Sequence, residues 1–217
     1  MGVGFNRREP SNTKRILLRP PIVEIFRRHQ WLGFFELLKG YDDDLAFEFS
    51  MALNSQTKES PTTIVRVLAI SLNPKIISGI TTLPLGIKWS REYKATSFTA
   101  KRNFFTTNER PVEYKNGVRR KSLPYPWDEV AYHIMKYICC EGRMSVVYAY
   151  HFRLLYERRF KANFPLSQRL NVPYFLLQSI KEMSQKVREG KQQHLGCHGL
   201  IKLIVVDALN NLRIPVL

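Results

Sequence analysis

His194, Cys197 and His198 form an H-x-x-C-H string near the end of a 217-residue chain, and Cys139 and Cys140 stand side by side. Thiolate and imidazole are the ligands of structural zinc, which takes them as tetrahedral sets of four. The spacing argues against that chemistry. Zinc knuckles use pairs about two to four residues apart, and adjacent side chains on a helix diverge by about 100°. The three cysteines read instead as reduced thiols, with Cys139 and Cys140 as small core residues.

Carboxylates offer a second chemistry. A two-metal nuclease or transposase brings two or three of them together, commonly at strand ends. Asp207 follows the apolar run Leu203-Ile204-Val205-Val206, but its partners are not evident. Asp42, Asp43 and Asp44 are consecutive and so point different ways on a helical turn, where capping of free amides explains them. Asp128 and Glu129 fall in the first turn of another expected helix. His151 has the side chain of a general base, yet no nucleophile or orienting carboxylate sits at a recognisable spacing. The chain has neither a Gly-rich phosphate loop ending in Lys and Ser or Thr nor a G-x-S-x-G elbow. No catalytic residue, metal or cofactor is expected from these patterns.

The basic residues are the most informative set. Lys and Arg number 34 against 18 Asp and Glu, a net charge of +16. Such a surplus points to a polyanionic partner without naming it, because net charge steers association and says nothing of fold. From Gly86 to Lys121 there are ten cations and three acids, interleaved with Trp89, Tyr93, Phe98, Phe104, Phe105 and Tyr114. Cations that track a phosphate backbone beside aromatic rings that stack on bases are how single-stranded nucleic acid is held. The competing reading makes the rings core and the cations a solvated face.

The elements that must position these groups follow from periodicity. A mobile basic arm is expected over residues 1–18 and one globular domain over 19–217. Pro20 and Pro21 start a helix running to Gly40, and Asp42 to Asp44 open the next, which carries Leu45, Phe49 and Leu53. The β-branched run Ile64 to Ile70 reads as one strand, followed by a short helix capped at Ser71 or Asn73 and started by Pro74. A further helix is expected within Thr96 to Thr107. Asn116-Gly117 predicts a hairpin over 112–120, since that dipeptide supplies the positive φ angles of a tight turn. Three helices then follow: one from Pro126 toward Gly142, one capped by Ser145 and bearing Val147, Tyr150, Leu154 and Leu155, and one from Pro173 to Gly190. The segment Gly199 to Leu212 reads as a last helix. The expected class is mainly α with a small β element, with α+β as the fallback. No stretch has the roughly 18 uninterrupted apolar residues of a membrane span. The odd cysteine count and the lack of a secretory leader suggest an intracellular protein of the nucleus or cytoplasm, with organelle targeting left open by the basic N-terminus.

Read in order, Tyr41-Asp42-Asp43-Asp44-Leu45-Ala46-Phe47-Glu48-Phe49, Val67 to Leu72, Ile80 to Pro84, Tyr114 to Arg120, Leu123 to Trp127 and Glu141 to Leu155 resemble plant proteins associated with transposons or retroelements. The likeness spans Arg15 to Leu209 and lies in hydrophobic and turn positions. It implies a mobile-element origin and a predominantly helical domain, and it brings no catalytic residues with it. The combined expectation is a non-enzymatic protein that binds DNA or RNA nonspecifically through Lys101, Arg102, Arg119, Arg120, Lys121, Arg158 and Arg159. Two alternatives stand beside it: a self-assembling, capsid-like module that pairs with another copy, and a metal-dependent nuclease using Asp207.

Overall fold

A computed structural model describes residues 18–40, 42–54, 60–86, 113–114, 117–141, 143–148, 151, 171–191 and 197–211. The chain begins with helices α1 (Pro20–Arg28), α2 (Leu32–Leu37) and α3 (Asp43–Ala52). Next come the antiparallel strands β1 (Thr62–Val65) and β2 (Leu68–Ser71) and helix α4 (Pro74–Thr81). A second antiparallel sheet, in the order β3-β4-β5, is made of Glu113–Tyr114, Gly117–Arg119 and Val146–Tyr148. Helix α5 (Trp127–His133) runs into a π-helical turn at Ile134–Ile138. Helices α6 (Val172–Arg188) and α7 (His198–Asn211) complete the described elements. The protein is therefore mainly helical with small antiparallel β elements.

Polar side chains cap three helix starts, at Asp42 and Asn73 as the sequence predicts and at Asn171 in addition. Asp42 Oδ1 accepts from Leu45 N–H at 2.9 Å, Asn73 Oδ1 from Ile76 N–H at 2.9 Å and Asn171 Oδ1 from Tyr174 N–H at 2.9 Å. Each satisfies one amide that the first helical turn leaves without a partner. Gly190, at φ +66°, takes the left-handed conformation expected of it just past α6.

Three elements differ from the sequence reading. The first helix breaks at Gln30, whose φ is +59°, so that Phe26 and Phe35 from separate helices stack at 4.2 Å. The run from 64 to 70 is a hairpin rather than one strand, turning at Arg66 and Val67 with φ of +47° and +66°. A two-residue turn of this hand matches strand twist but normally uses Asn and Gly, which is why its sequence gives no warning. Here the carboxylate of Glu48 accepts the Arg66 amide N–H at 2.6 Å and holds the turn. Val146 to Tyr148 form a strand and not the start of a helix, because Val147 and its β-branched neighbour pair with Val118 and Arg119. The expected helix at 96–107 and most of the 1–18 arm fall outside the described residues.

The buried side chains from Ile22 to Val205 make one cluster. α3 and α4 pack on α6 and α7, β1 lies on α3, and the π turn reaches α6. Arg188 on α6 donates from Nη1 to the carbonyls of Ser50 at 3.2 Å and Leu53 at 2.6 Å, so a cation closes the C-terminal end of α3. Among the described residues, no helix is long and apolar enough to cross a membrane.

Candidate functional site

The short β3-β4-β5 sheet builds a corner from two stretches of chain. β4 ends at Arg119 and passes into a single 3-10 turn at Arg120–Ser122. Arg119 lies opposite Val146, so the chain leading into β5 runs beside that turn. Arg120 stitches the two together. Its amide donates to Ser145 O at 2.8 Å, its Nε to Met144 O at 2.9 Å and its Nη1 to Asp128 O at 3.3 Å. The guanidinium also lies 5.2 Å from the centre of the Tyr132 ring. Lys136 approaches the same ring at 5.5 Å and donates to the Tyr132 hydroxyl at 3.3 Å. Ser122 Oγ donates to Arg119 O at 2.7 Å and tightens the turn.

On this frame Arg119, Lys121 and Arg143 are exposed, and none has a carboxylate partner among the described residues. Among the acids nearby, Glu129 pairs with Arg19 at 3.3 Å and Glu141 faces His151 at 2.8 Å, while Asp128, whose carbonyl Arg120 bonds, has a buried Oδ1 without a hydrogen-bond partner. The corner therefore presents three exposed cations on a backbone fixed by a fourth. Of the residues expected from the sequence, Arg119 and Lys121 are available to an anion, whereas Arg120 is half-buried and committed to carbonyls. Lys101, Arg102, Arg158 and Arg159 lie outside the described residues. Arg143 was not legible as a site residue, because it joins the group only through the pairing of β4 with β5.

The other candidate chemistries resolve into structure. His151 is fully buried, with Nδ1 accepting from Tyr148 N–H at 3.0 Å. That bond assigns the ring proton to Nε2, which faces Glu141 Oε1 at 2.8 Å. With both nitrogens engaged, the ring joins the end of β5 to the segment after α5 and has no lone pair to act as a base. Glu141, ten residues upstream, is a partner that spacing did not reveal. Asp207 Oδ2 accepts from Asn211 Nδ2 at 3.0 Å one helical turn along. No group of three His, Cys, Asp or Glu that could hold a metal occurs among the described residues. His198 turns to Asp43, with Nε2 and Oδ1 3.0 Å apart, and Cys139, Cys140 and Cys197 are free, buried thiols. Burial raises the Cys139 and Cys140 thiols well above their ordinary pKa, which keeps them protonated.

Apolar side chains are exposed elsewhere. Phe47 and Met51 on α3, with Ile64 and Val67 on the β1-β2 hairpin, flank the Glu48–Arg66 contact, and Val67 is 99 % exposed.

Comparison with protein-family models, with curated proteins and with solved structures gives no match.

Proposed function

We propose that this protein binds nucleic-acid phosphates with little regard to sequence and carries out no reaction of its own. The observation that carries the reading is the corner of Arg119, Lys121 and Arg143, three exposed cations without carboxylate partners on a frame immobilised by Arg120. Neutralising phosphates releases condensed counterions, so a net charge of +16 with such a corner suits a strongly salt-dependent interaction. The likeness of Tyr41 to Phe49 and Glu141 to Leu155 to plant transposon- and retroelement-associated proteins supports a mobile-element origin, in which packaging or coating of nucleic acid is a natural role.

The test is binding of purified, nuclease-treated protein to labelled single- and double-stranded DNA and RNA across a salt series. Changing Arg119, Lys121 and Arg143 together to Gln is expected to flatten the slope of log K against log salt on duplex DNA by roughly 3. Affinity near 0.15 M salt should fall roughly 100-fold. An unaltered slope would remove this corner from the interface. Gln at these exposed positions leaves the Arg120 bonds in place, so the fold is not at stake.

A second reading rests on Phe47, Met51, Ile64 and Val67, whose exposure suits association with another copy of the chain. Light scattering is expected to show species larger than a monomer at micromolar concentration, and a strict monomer throughout that range argues against self-assembly.

A further inference from the structure

Among the described residues, Tyr125 and Tyr148 are the exposed tyrosines, with 53 % and 38 % of their area open to solvent. Both belong to the two stretches of chain that make the basic corner. Tyr125 lies on the chain that leaves Lys121, between the 3-10 turn and α5, and Tyr148 ends the strand that the chain enters from Arg143. Each stretch therefore carries cations and then a ring.

The register places Tyr148 on the same face as a cation. Val118 and Val147 pair across β4 and β5 and are fully buried, so one face of this sheet belongs to the core. Side chains alternate along a strand, which puts Arg119, Val146 and Tyr148 on the other face. Arg119 is opposite Val146, and Tyr148 is two positions further along, a diagonal neighbour roughly 7–8 Å away. Tyr148 is held in place: its N–H donates to the buried His151 at 3.0 Å, and its ring lies 6.0 Å from the imidazole. Tyr125 is held by other means. Proline on both sides limits its backbone, Trp127 N–H donates to Pro124 O at 2.8 Å, and Leu123 just before is buried. Backbones fixed in this way leave less entropy to lose when a flat ligand settles on the rings.

A ring beside a phosphate-binding cation matches the two parts of a nucleotide, a flat base and a charged phosphate, and every base has a face to stack. In a duplex those faces already lie on their neighbours, so a protein ring takes them from unpaired strands. Phosphate contacts alone do not make that distinction. We propose that Tyr148 and Tyr125 stack on unpaired bases, so that the corner holds single-stranded nucleic acid in preference to duplex. This rests on the phosphate-binding reading of Arg119, Lys121 and Arg143 and adds to it the part of the ligand that cations do not recognise.

The experiment is fluorescence anisotropy of the full-length protein on labelled single strands of about twelve nucleotides, DNA and RNA, on a DNA strand of that length lacking its bases, and on a duplex, across a salt series. The unaltered protein is expected to bind the complete strands at least about tenfold more tightly than the base-free strand, and more tightly than the duplex. Tyr148→Leu and Tyr125→Leu should each weaken single-strand binding by about fivefold or more, while Tyr148→Phe and Tyr125→Phe, which keep the ring, stay within about twofold. The salt slope and the duplex affinity should not move in any of these variants, since the same phosphates are neutralised. Equal affinity for complete and base-free strands, or tighter binding of duplex, overturns the proposal and leaves the phosphate reading standing. Equal losses on duplex and single strand in the Leu variants overturn it too, because the rings would then support the corner rather than the bases. If nothing binds near 0.15 M salt, the phosphate reading fails and this one with it. The base-free comparison uses the unaltered protein and so does not depend on any variant folding.

Discussion

Replacing Phe26 with alanine is expected to destabilise the protein by about 3–5 kcal/mol, a large part of the margin a domain of this size has. Phe26 is fully buried, and its ring stacks on Phe35 at 4.2 Å, lies 6.3 Å from Trp31 and meets His133 edge-on at 6.1 Å. These groups come from α1, the segment before α2, α2 itself and α5, so the ring fills the space where the first helices close on the middle of the chain. Removing it loses apolar transfer free energy and leaves a cavity that rigid aromatic neighbours cannot fill by relaxing. Urea unfolding monitored by far-ultraviolet circular dichroism should show the midpoint drop accordingly, with Phe26→Leu losing distinctly less. A loss below about 1 kcal/mol for alanine would mean that the aromatic cluster is not the keystone of this interface.

The second large effect is acid lability through His133. The ring is buried among Phe26, Phe35, Tyr132 and Tyr137, and its Nδ1 has no hydrogen-bond partner. Burial, with the positive charges of Lys136 and Arg120 added, lowers its pKa from 6.5 to about 4. The unfolded chain therefore binds this proton more readily than the folded one. The contribution is harmless above pH 6.5, and folded stability falls as pH drops from 6.5 toward 4, by about 3 kcal/mol in total. His133→Phe keeps an aromatic ring in place and removes the titration. Comparing the two proteins by urea unfolding at pH 7.5 and pH 4 isolates this group from the carboxylates, which are common to both. The variant should gain about 3 kcal/mol relative to the parent over that interval, and parallel pH profiles would exclude His133 as the acid-sensitive element.

How much of this was readable from residues alone depends on the range of the cause. Capping is local, so Asp42, Asn73 and Pro173 announce their helices, and the regular stripe Leu176, Ile180, Met183, Val187 marks the buried face of α6. The turn at Arg66-Val67 lacks any local signature, because Glu48, eighteen residues upstream, stabilises it. Val146 to Tyr148 follow a plausible helix cap, and only pairing with β4 makes them a strand. The site shows the same division. Clustering of charge singled out Arg119, Arg120 and Lys121 as candidates, while Arg143 enters only through the sheet register, and the bonds of Arg120 to the carbonyls of Met144 and Asp128 arise only in the fold. The contact of Cys197 with Met183, 3.4 Å between their sulfurs, joins the residue before α7 to α6, and no spacing in the sequence announces it.

The π turn after α5 sets how that helix ends. Cys139 N–H bonds Ile134 O at 2.9 Å, five residues back, and Glu141 N–H reaches Met135 O at 3.0 Å. The last turn holds one residue more than an α-helical turn, and the helix stops directly after it, with Cys139 as its cap and Cys140 at a φ of +54°. Ile134-Met135-Lys136-Tyr137-Ile138 thus behaves as a one-residue insertion at the close of the helix, and aligning it with an uninterrupted helix places the gap at that end.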